Sequence, residues 1–334
     1  MNLPLLLVQY LDARDRRCVG RVLDNGAALQ PITAPDGVRG LALEALAQGC
    51  GLAAVVAHRA QDSTVDYAEL ARGQRLLTPI DHPDAAHLLL SGTGLTHRAS
   101  AAGRDAMHKA GVAGRETDSM RMYRIGEAGG RPQPGVAGAQ PEWFYKGDGR
   151  ALVHPGHDLP LPAFAEDGGE EAELAAVYLV DADGNPARIG FALANEFSDH
   201  ALERSNYLYL AHSKLRCAAI GPELLVGELP QTLHGRVRLV RDGQTHWEQD
   251  FRTGEAEMCH SIANLEHHHF KYHQFRRPGD VHVHFLGAAA LSSAAGVQTR
   301  DGDRFEISAP PFVQPLVNRM LRQPDPGPVV VRSL

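Results

Sequence analysis

Cysteine is scarce in this 334-residue chain: there are 4, at Cys18, Cys50, Cys217 and Cys259, and no two form a C-x-x-C pair. That excludes a disulfide framework and a thiolate metal site, and points to reduced thiols in a cytoplasmic protein. Positive charge is also in short supply. The 33 Lys+Arg are outnumbered by 40 Asp+Glu, giving a net charge of -7, so there is no basic footprint for nucleic acid. No apolar run approaches the roughly 20 residues of a membrane span, so no membrane partner is expected. The apolar stretch Met1–Val8 lacks a basic flank and a small-residue cleavage site, and reads as a first strand rather than a leader. Hydrophobic content of 43% and charged content of 22% are those of an ordinary globular chain, long enough for one large domain or two unequal ones.

The informative stretch runs from Glu171 to Lys214. Val177, Leu179 and Val180 favour a strand, and side chains two apart on a strand share a face, so Glu171 and Glu173 are expected to project side by side. Asp181-Ala-Asp183-Gly184-Asn185-Pro186 is a strong turn signal. It folds the chain into a second apolar strand that ends at Glu196, and a hairpin brings this third carboxylate beside the first pair. Three converging carboxylates repel one another unless a hard cation lies between them, and an all-oxygen ligand set suits Mg²⁺, with Mn²⁺ or Ca²⁺ also possible. The competing reading is a solvated acidic face. The histidines His260, His267, His268, His269, His273, His282 and His284 raise a separate zinc reading, but no acid completes an H-E-x-x-H pattern.

These residues resemble the fumarylacetoacetate hydrolase superfamily. Glu171-Ala-Glu173-Leu174-Ala175 matches its E-x-E-L-A strand, and Gly190-Phe191 through Asn195-Glu196-Phe197-Ser198 its second segment. Lys214 stands ahead of Gly221-Pro222 as the family lysine does. Arg277-Pro278-Gly279-Asp280-Val281 and Gly302-Asp303 look like the family's later turns, and Pro141 to Lys146 like the segment before the metal strand. The match runs in order over about residues 85 to 320.

The resemblance implies an α+β, β-rich fold, with a mixed β-sandwich or β-roll catalytic domain over 81–322. A small α/β N-terminal domain over 1–80 precedes it and a C-terminal tail, 323–334, follows. It implies Glu171, Glu173 and Glu196 as metal ligands, and Lys214, His97 and Glu203 as catalytic residues. Asp199 to Leu210 reads as a helix capped by Ser198 or Asp199, with Glu203 and Tyr207 four apart on one face, and Tyr207 is implied as a substrate contact. The family's substrate-binding Thr is replaced by Ala288, so Ser292 or Ser293 is expected to supply the hydroxyl. The Gly- and Pro-rich run 114–140 is read as a lid or surface insertion, with Arg121 beneath it reaching a substrate carboxylate.

His97 matches the family's acid/base histidine, yet Ser100 stands where its Glu partner belongs, so the hydrolytic pair is incomplete. Glu196, where Asp is commoner, resembles the sugar-acid branch. The expected activity is therefore a metal-dependent dehydratase of a 2-keto-3-deoxy sugar acid, pentonate-like, working through an enolate. The alternatives are a C–C hydrolase of an acylpyruvate or fumarylacetoacetate-type acid, and a non-catalytic ligand-binding relative. A homodimer is expected by resemblance.

Overall fold

The computed structural model describes residues 4–23, 26–108 and 117–334. Two sheets carry the fold. In the larger, the strands along the main path run in spatial order Val65–Asp66, Ala28–Ile32, Arg17–Leu23, Leu5–Leu11, Glu223–Val226, Pro186–Asn195, Ala172–Val180, Val281–Phe285, Leu88–Gly92 and Phe144–Asp148. In the smaller the order is Gln244–Thr253, Leu233–Arg241, Arg304–Ser308, Leu316–Arg322 and Asp158–Leu161. The architecture is the expected β-rich α+β class. No single helix among the described residues is long and apolar enough to cross a membrane.

The strand Ala172–Val180 is buried at every position, which explains its unbroken apolar sequence. Leu174, Ala176 and Tyr178 pack with Leu239, Phe305, Ile307 and Met320 of the smaller sheet. Ala175, Val177 and Leu179 face the other way, into a core shared with Leu7, Val38, Leu41, Val55 and Val56. Those last residues come from the first 80 positions. The segment expected as a unit of its own therefore adds its strands to the large sheet, with Leu7 opposite Leu224, and its helices Gly37–Gln48 and Leu52–Arg59 to the same core. Gly49 ends the first helix at φ 63°, in the left-handed region that favours glycine.

Two expected elements differ. Within 114–140, Asp118–Gly129 is a helix capped by Thr117, whose hydroxyl accepts from the Met120 amide at 3.3 Å. The run after it is strapped down: Asn264 bonds the Gly138 amide at 2.9 Å and the Ala139 carbonyl at 2.8 Å. Residues 114–116, the start of the expected lid, lie outside the described residues. The helix read over Asp199–Leu210 breaks into His200–Ser205, a turn at Tyr207–Tyr209 and Leu210–Lys214. Asn206 causes the break: its backbone is extended and its side chain accepts from the Leu208 amide at 3.0 Å, capping the turn.

Candidate metal centre and active-site cavity

The hairpin forms as its turn residues dictate, with Gly184 at φ 81° and the Asp181 amide donating to the Asn185 carbonyl at 2.9 Å. Its register decides the chemistry. Next to the turn Pro186 faces Val180, but beyond a bulge between Arg188 and Gly190 the pairs become Ala194 with Glu173 and Asn195 with Ala172. The Glu196 amide then donates to the Glu171 carbonyl at 3.2 Å. Were Ile189 paired rather than bulged out, Glu196 would fall opposite Glu170, and a one-residue slip turns a strand's side chains to the other face. With the bulge, Glu171, Glu173 and Glu196 lie on one face, each with an oxygen within 4.8 Å of the others. They are 5%, 1% and 0% exposed, so the solvated-face reading fails.

Two lysines brace the cluster. The Lys214 ammonium bonds Glu171, Glu196 Oε2 at 2.5 Å and Ser198 Oγ at 3.2 Å. Lys146, fully buried, lies 2.5 Å from Glu196 Oε1 and donates to the Phe197 and Lys214 carbonyls at 2.7 and 3.0 Å. His200 Nε2 is 3.1 Å from Glu171 Oε1. Burial opposes ionisation of Glu171, but Lys214 and His200 outweigh it and hold the carboxyl well below its usual range. Burial disfavours the Lys214 charge too, and Glu171 and Glu196 more than restore it, so Lys214 stays protonated. Burial, then the charges of Glu171 and Glu196, push Glu173 well above the usual carboxylate range; its Oε2 accepts one bond, from the Gly287 amide at 2.8 Å. Two ionised carboxylates within 4.8 Å of each other repel by roughly 3 kcal/mol or more at the effective dielectric of a protein interior. Glu173 thus takes up a proton unless a cation replaces it, and with its all-oxygen donor set the cluster fits a hard divalent cation.

Beside the cluster opens a narrow cleft of about 20 Å³, room for about one water. Glu171, His200, Glu203, Arg104, Ala288 and Leu291 are among its lining residues. Arg104 reaches both oxygens of Glu142 from Nη1, at 2.8 and 2.7 Å, and its Nε lies 2.9 Å from Glu203 Oε1. Gly94 makes room for this group, since a Cβ there would stand 1.7 Å from Glu142 Oε2.

Of the residues singled out in the sequence, Glu171, Glu173, Glu196 and Lys214 come together, and Glu203 lines the adjoining cleft. Tyr207 is 42% exposed. Because the helix breaks at Asn206, it does not share a helical face with the buried Glu203. His97 is buried but lines a different groove, of about 900 Å³, between Thr96 Oγ1 at 2.9 Å and Thr253 Oγ1 at 3.1 Å. Arg121 points to solvent beside Asp118. Ser292 spends its amide and hydroxyl on Glu170, at 2.7 and 2.8 Å, and the buried Ser293 hydroxyl has no partner. Arg104, Glu142, Lys146 and His200 are site residues that the sequence reading did not single out. Glu142 and Lys146 stand inside the Pro141 to Lys146 segment and His200 two residues past the segment ending at Ser198, which is a usable signal; Arg104 carries none. The histidines His269, His282 and His284 form a hydrogen-bonded group with Ser91 and Thr93. Among the described residues, the ligand cluster that converges is the glutamate one.

Comparison with known proteins places residues 118–319 in a match to the fumarylacetoacetate (FAA) hydrolase C-terminal family. A 2-dehydro-3-deoxy-D-arabinonate dehydratase of Saccharolobus solfataricus is 29% identical over 121 residues, 35% of this chain and 39% of that protein. A probable 2-keto-3-deoxyxylonate dehydratase of Haloferax volcanii is 29% identical over 131 residues, 38% of this chain and 43% of that protein. The aligned stretches thus span about two fifths of the relatives' own lengths. A solved structure of 2-keto-3-deoxy-D-arabinonate dehydratase complexed with magnesium and 2,5-dioxopentanoate superposes with a TM-score of 0.68 at 19% identity. It covers 95% of this chain and 99% of that one.

Proposed function

The chain belongs to the fumarylacetoacetate hydrolase family, and from that premise we propose that it dehydrates a 2-keto-3-deoxy sugar acid of pentonate type, with a divalent metal. The observation that carries this reading is the buried Glu171/Glu173/Glu196 cluster braced by Lys214. Glu171, Glu173 and Glu196 would hold the ion, whose chemistry toward a 2-keto acid is Lewis-acid polarisation of the keto group. Mg²⁺ suits the oxygen donors, and a related dehydratase carries it.

The protein's own residues do the rest. Lys214 stays charged and is an electrostatic anchor for the negative charge that grows on the substrate's keto oxygen as a C3 proton leaves. His200 fixes Glu171 from the cleft side. Loss of the C3 proton and the C4 hydroxyl releases one water and leaves an enone, whose further tautomerisation gives the 5-aldehyde, 2,5-dioxopentanoate. The cleft excludes bulk water, which dehydration requires to be expelled and hydrolysis requires to be activated. His97, the family's water-activating histidine, lines the separate groove and lacks its Glu partner, which favours dehydration over C–C hydrolysis.

The test is a product assay with Mg²⁺ on a 2-keto-3-deoxypentonate and an acylpyruvate in parallel. Release of 2,5-dioxopentanoate from the first is expected, abolished by a chelator, and lowered at least about 1,000-fold in Glu171→Gln, as for loss of a group that holds the transition-state charge. Pyruvate from the second, with the first untouched, would make the protein a hydrolase.

A further inference from the structure

Each carboxylate of the cluster already has an oxygen engaged. Glu171 Oε1 faces His200 Nε2 at 3.1 Å and the Lys214 ammonium. Glu173 Oε2 accepts from the Gly287 amide at 2.8 Å. Glu196 meets a lysine at each oxygen, with Lys146 Nζ 2.5 Å from Oε1 and Lys214 Nζ 2.5 Å from Oε2.

The two lysines differ in what else they hold. The Lys214 ammonium bonds side chains, those of Glu171, Glu196 and Ser198, and side chains can turn to a new partner. Lys146 is tied to backbone: besides Glu196 it donates to the Phe197 and Lys214 carbonyls at 2.7 and 3.0 Å. Three acceptors take its three N–H donors, and only the charged form of the amine carries three. Its side chain is fully buried, so moving it would strand two carbonyls away from water. Lys214 can therefore give up a carboxylate oxygen to an entering ion, whereas Lys146 keeps a fixed positive charge on Glu196 Oε1.

That charge bears on which ion the cluster takes. Ca²⁺ gathers about 6–8 oxygens in a flexible shell and readily takes both oxygens of one carboxylate, whereas Mg²⁺ demands a compact octahedral set. An ion chelated by both oxygens of Glu196 would lie against Oε1 and meet the Lys146 ammonium, with little water to screen the two charges. Resting on the metal reading of the cluster and not on the identity of the substrate, we propose that Lys146 is a positioning residue for ion selectivity. It holds Glu196 to coordination through one oxygen and so favours Mg²⁺ over Ca²⁺.

The test is calorimetry of Mg²⁺ and of Ca²⁺ on the chelator-stripped full chain, with no substrate present. The wild type is expected to bind Mg²⁺ about 10-fold or more tighter than Ca²⁺. Removing the ammonium in Lys146→Met raises the attraction for either dication, so the ratio of the two constants reads the effect. The preference for Mg²⁺ should fall by about 10-fold or more, because Ca²⁺ gains the second oxygen of Glu196. Lys146→Gln keeps amide donors without the charge, and should move the ratio the same way where the methionine variant does not fold. Melting temperatures identify the folded variants. A merely structural role for Lys146 would weaken both ions together and leave the ratio unchanged. Equal or tighter binding of Ca²⁺ by the wild type overturns the inference, as does an unchanged ratio in a folded variant. Where neither variant folds, the wild-type ranking decides. Failure of the wild type to bind either ion would overturn the metal reading as well. Absence of turnover on a 2-keto-3-deoxypentonate, with the ranking and its shift intact, would sink the dehydration and leave the selectivity standing.

Discussion

His284 sits fully buried between Ser91 Oγ at 2.9 Å and Thr93 Oγ1 at 2.7 Å. Burial, with a small contribution from His282, lowers it from 6.5 to about 3. Unfolded, the imidazole takes a proton near 6.5; folded, it does so only near 3. Between those values the unfolded chain binds the extra proton, so acidification costs stability. From pH 7 to pH 5 this one group should remove about 2 kcal/mol. Glu223, raised to about 7 chiefly by burial, acts with the opposite sign, so the total pH profile mixes the two. The isolating measurement is denaturant unfolding of the wild type and His284→Asn at both pH values. The variant is expected to be the less stable at pH 7, with the gap narrowing by about 2 kcal/mol at pH 5; an unchanged gap would mean that His284 is protonated in the fold. Residues of this kind are illegible in sequence. The period-two spacing of Glu171 and Glu173 announces a shared face, but nothing near Arg104 announces Glu142, 38 positions away. Their partnership exists only once the strand Phe144–Asp148 pairs with Leu88–Gly92.

Among the elements, the hairpin was readable because its turn chemistry sits between two apolar, β-branched-rich runs. What could not be read was the bulge at Ile189, since one extra residue in an apolar strand changes no pattern locally. Deleting Ile189 removes the bulge yet leaves Gly190 opposite Val177 and Glu196 opposite Glu171, so Mg²⁺ binding in calorimetry should persist; loss of binding in a folded variant would show that the bulge does more than set the register. The helix over Asp199–Leu210 was misread for a related reason. Ala201, Leu202, Glu203 and Arg204 favour helix, but the Asn206 side chain competes for a backbone amide and wins. The helix Asp118–Gly129 was hidden by its glycines, and it stands because Ser119, Tyr123 and Gly126 are buried against neighbours such as Cys259 and His260.

At the scale of the whole molecule, the N-terminal 80 residues read as a separate unit, because their strands and helices are local in sequence. The packing joins them to the rest. Leu7, Val19, Val38 and Leu41 share one core with Val177, Val281 and Phe285, and Tyr67 bonds Glu223 at 3.0 Å across 156 positions. A chain beginning at residue 81 would expose the edge of Glu223–Val226 and that whole core face. It is expected to be insoluble or to bind hydrophobic dyes, and a monodisperse, cooperatively melting fragment would refute this. The catalytic half, legible through its motifs, therefore depends on a half that carries none.

The pairing of Leu7 with Leu224 also sets an order of events in time. At roughly 5–20 residues per second of synthesis, the strand Leu5–Leu11 leaves the ribosome some 10–40 seconds before its partner Glu223–Val226 is made. For that interval an apolar strand has one edge covered by its hairpin neighbour Arg17–Leu23 and the other open. The nascent chain is thus a client for whatever shields exposed strands in the cell, and its yield in a cell-free system should rise when such holding factors are added.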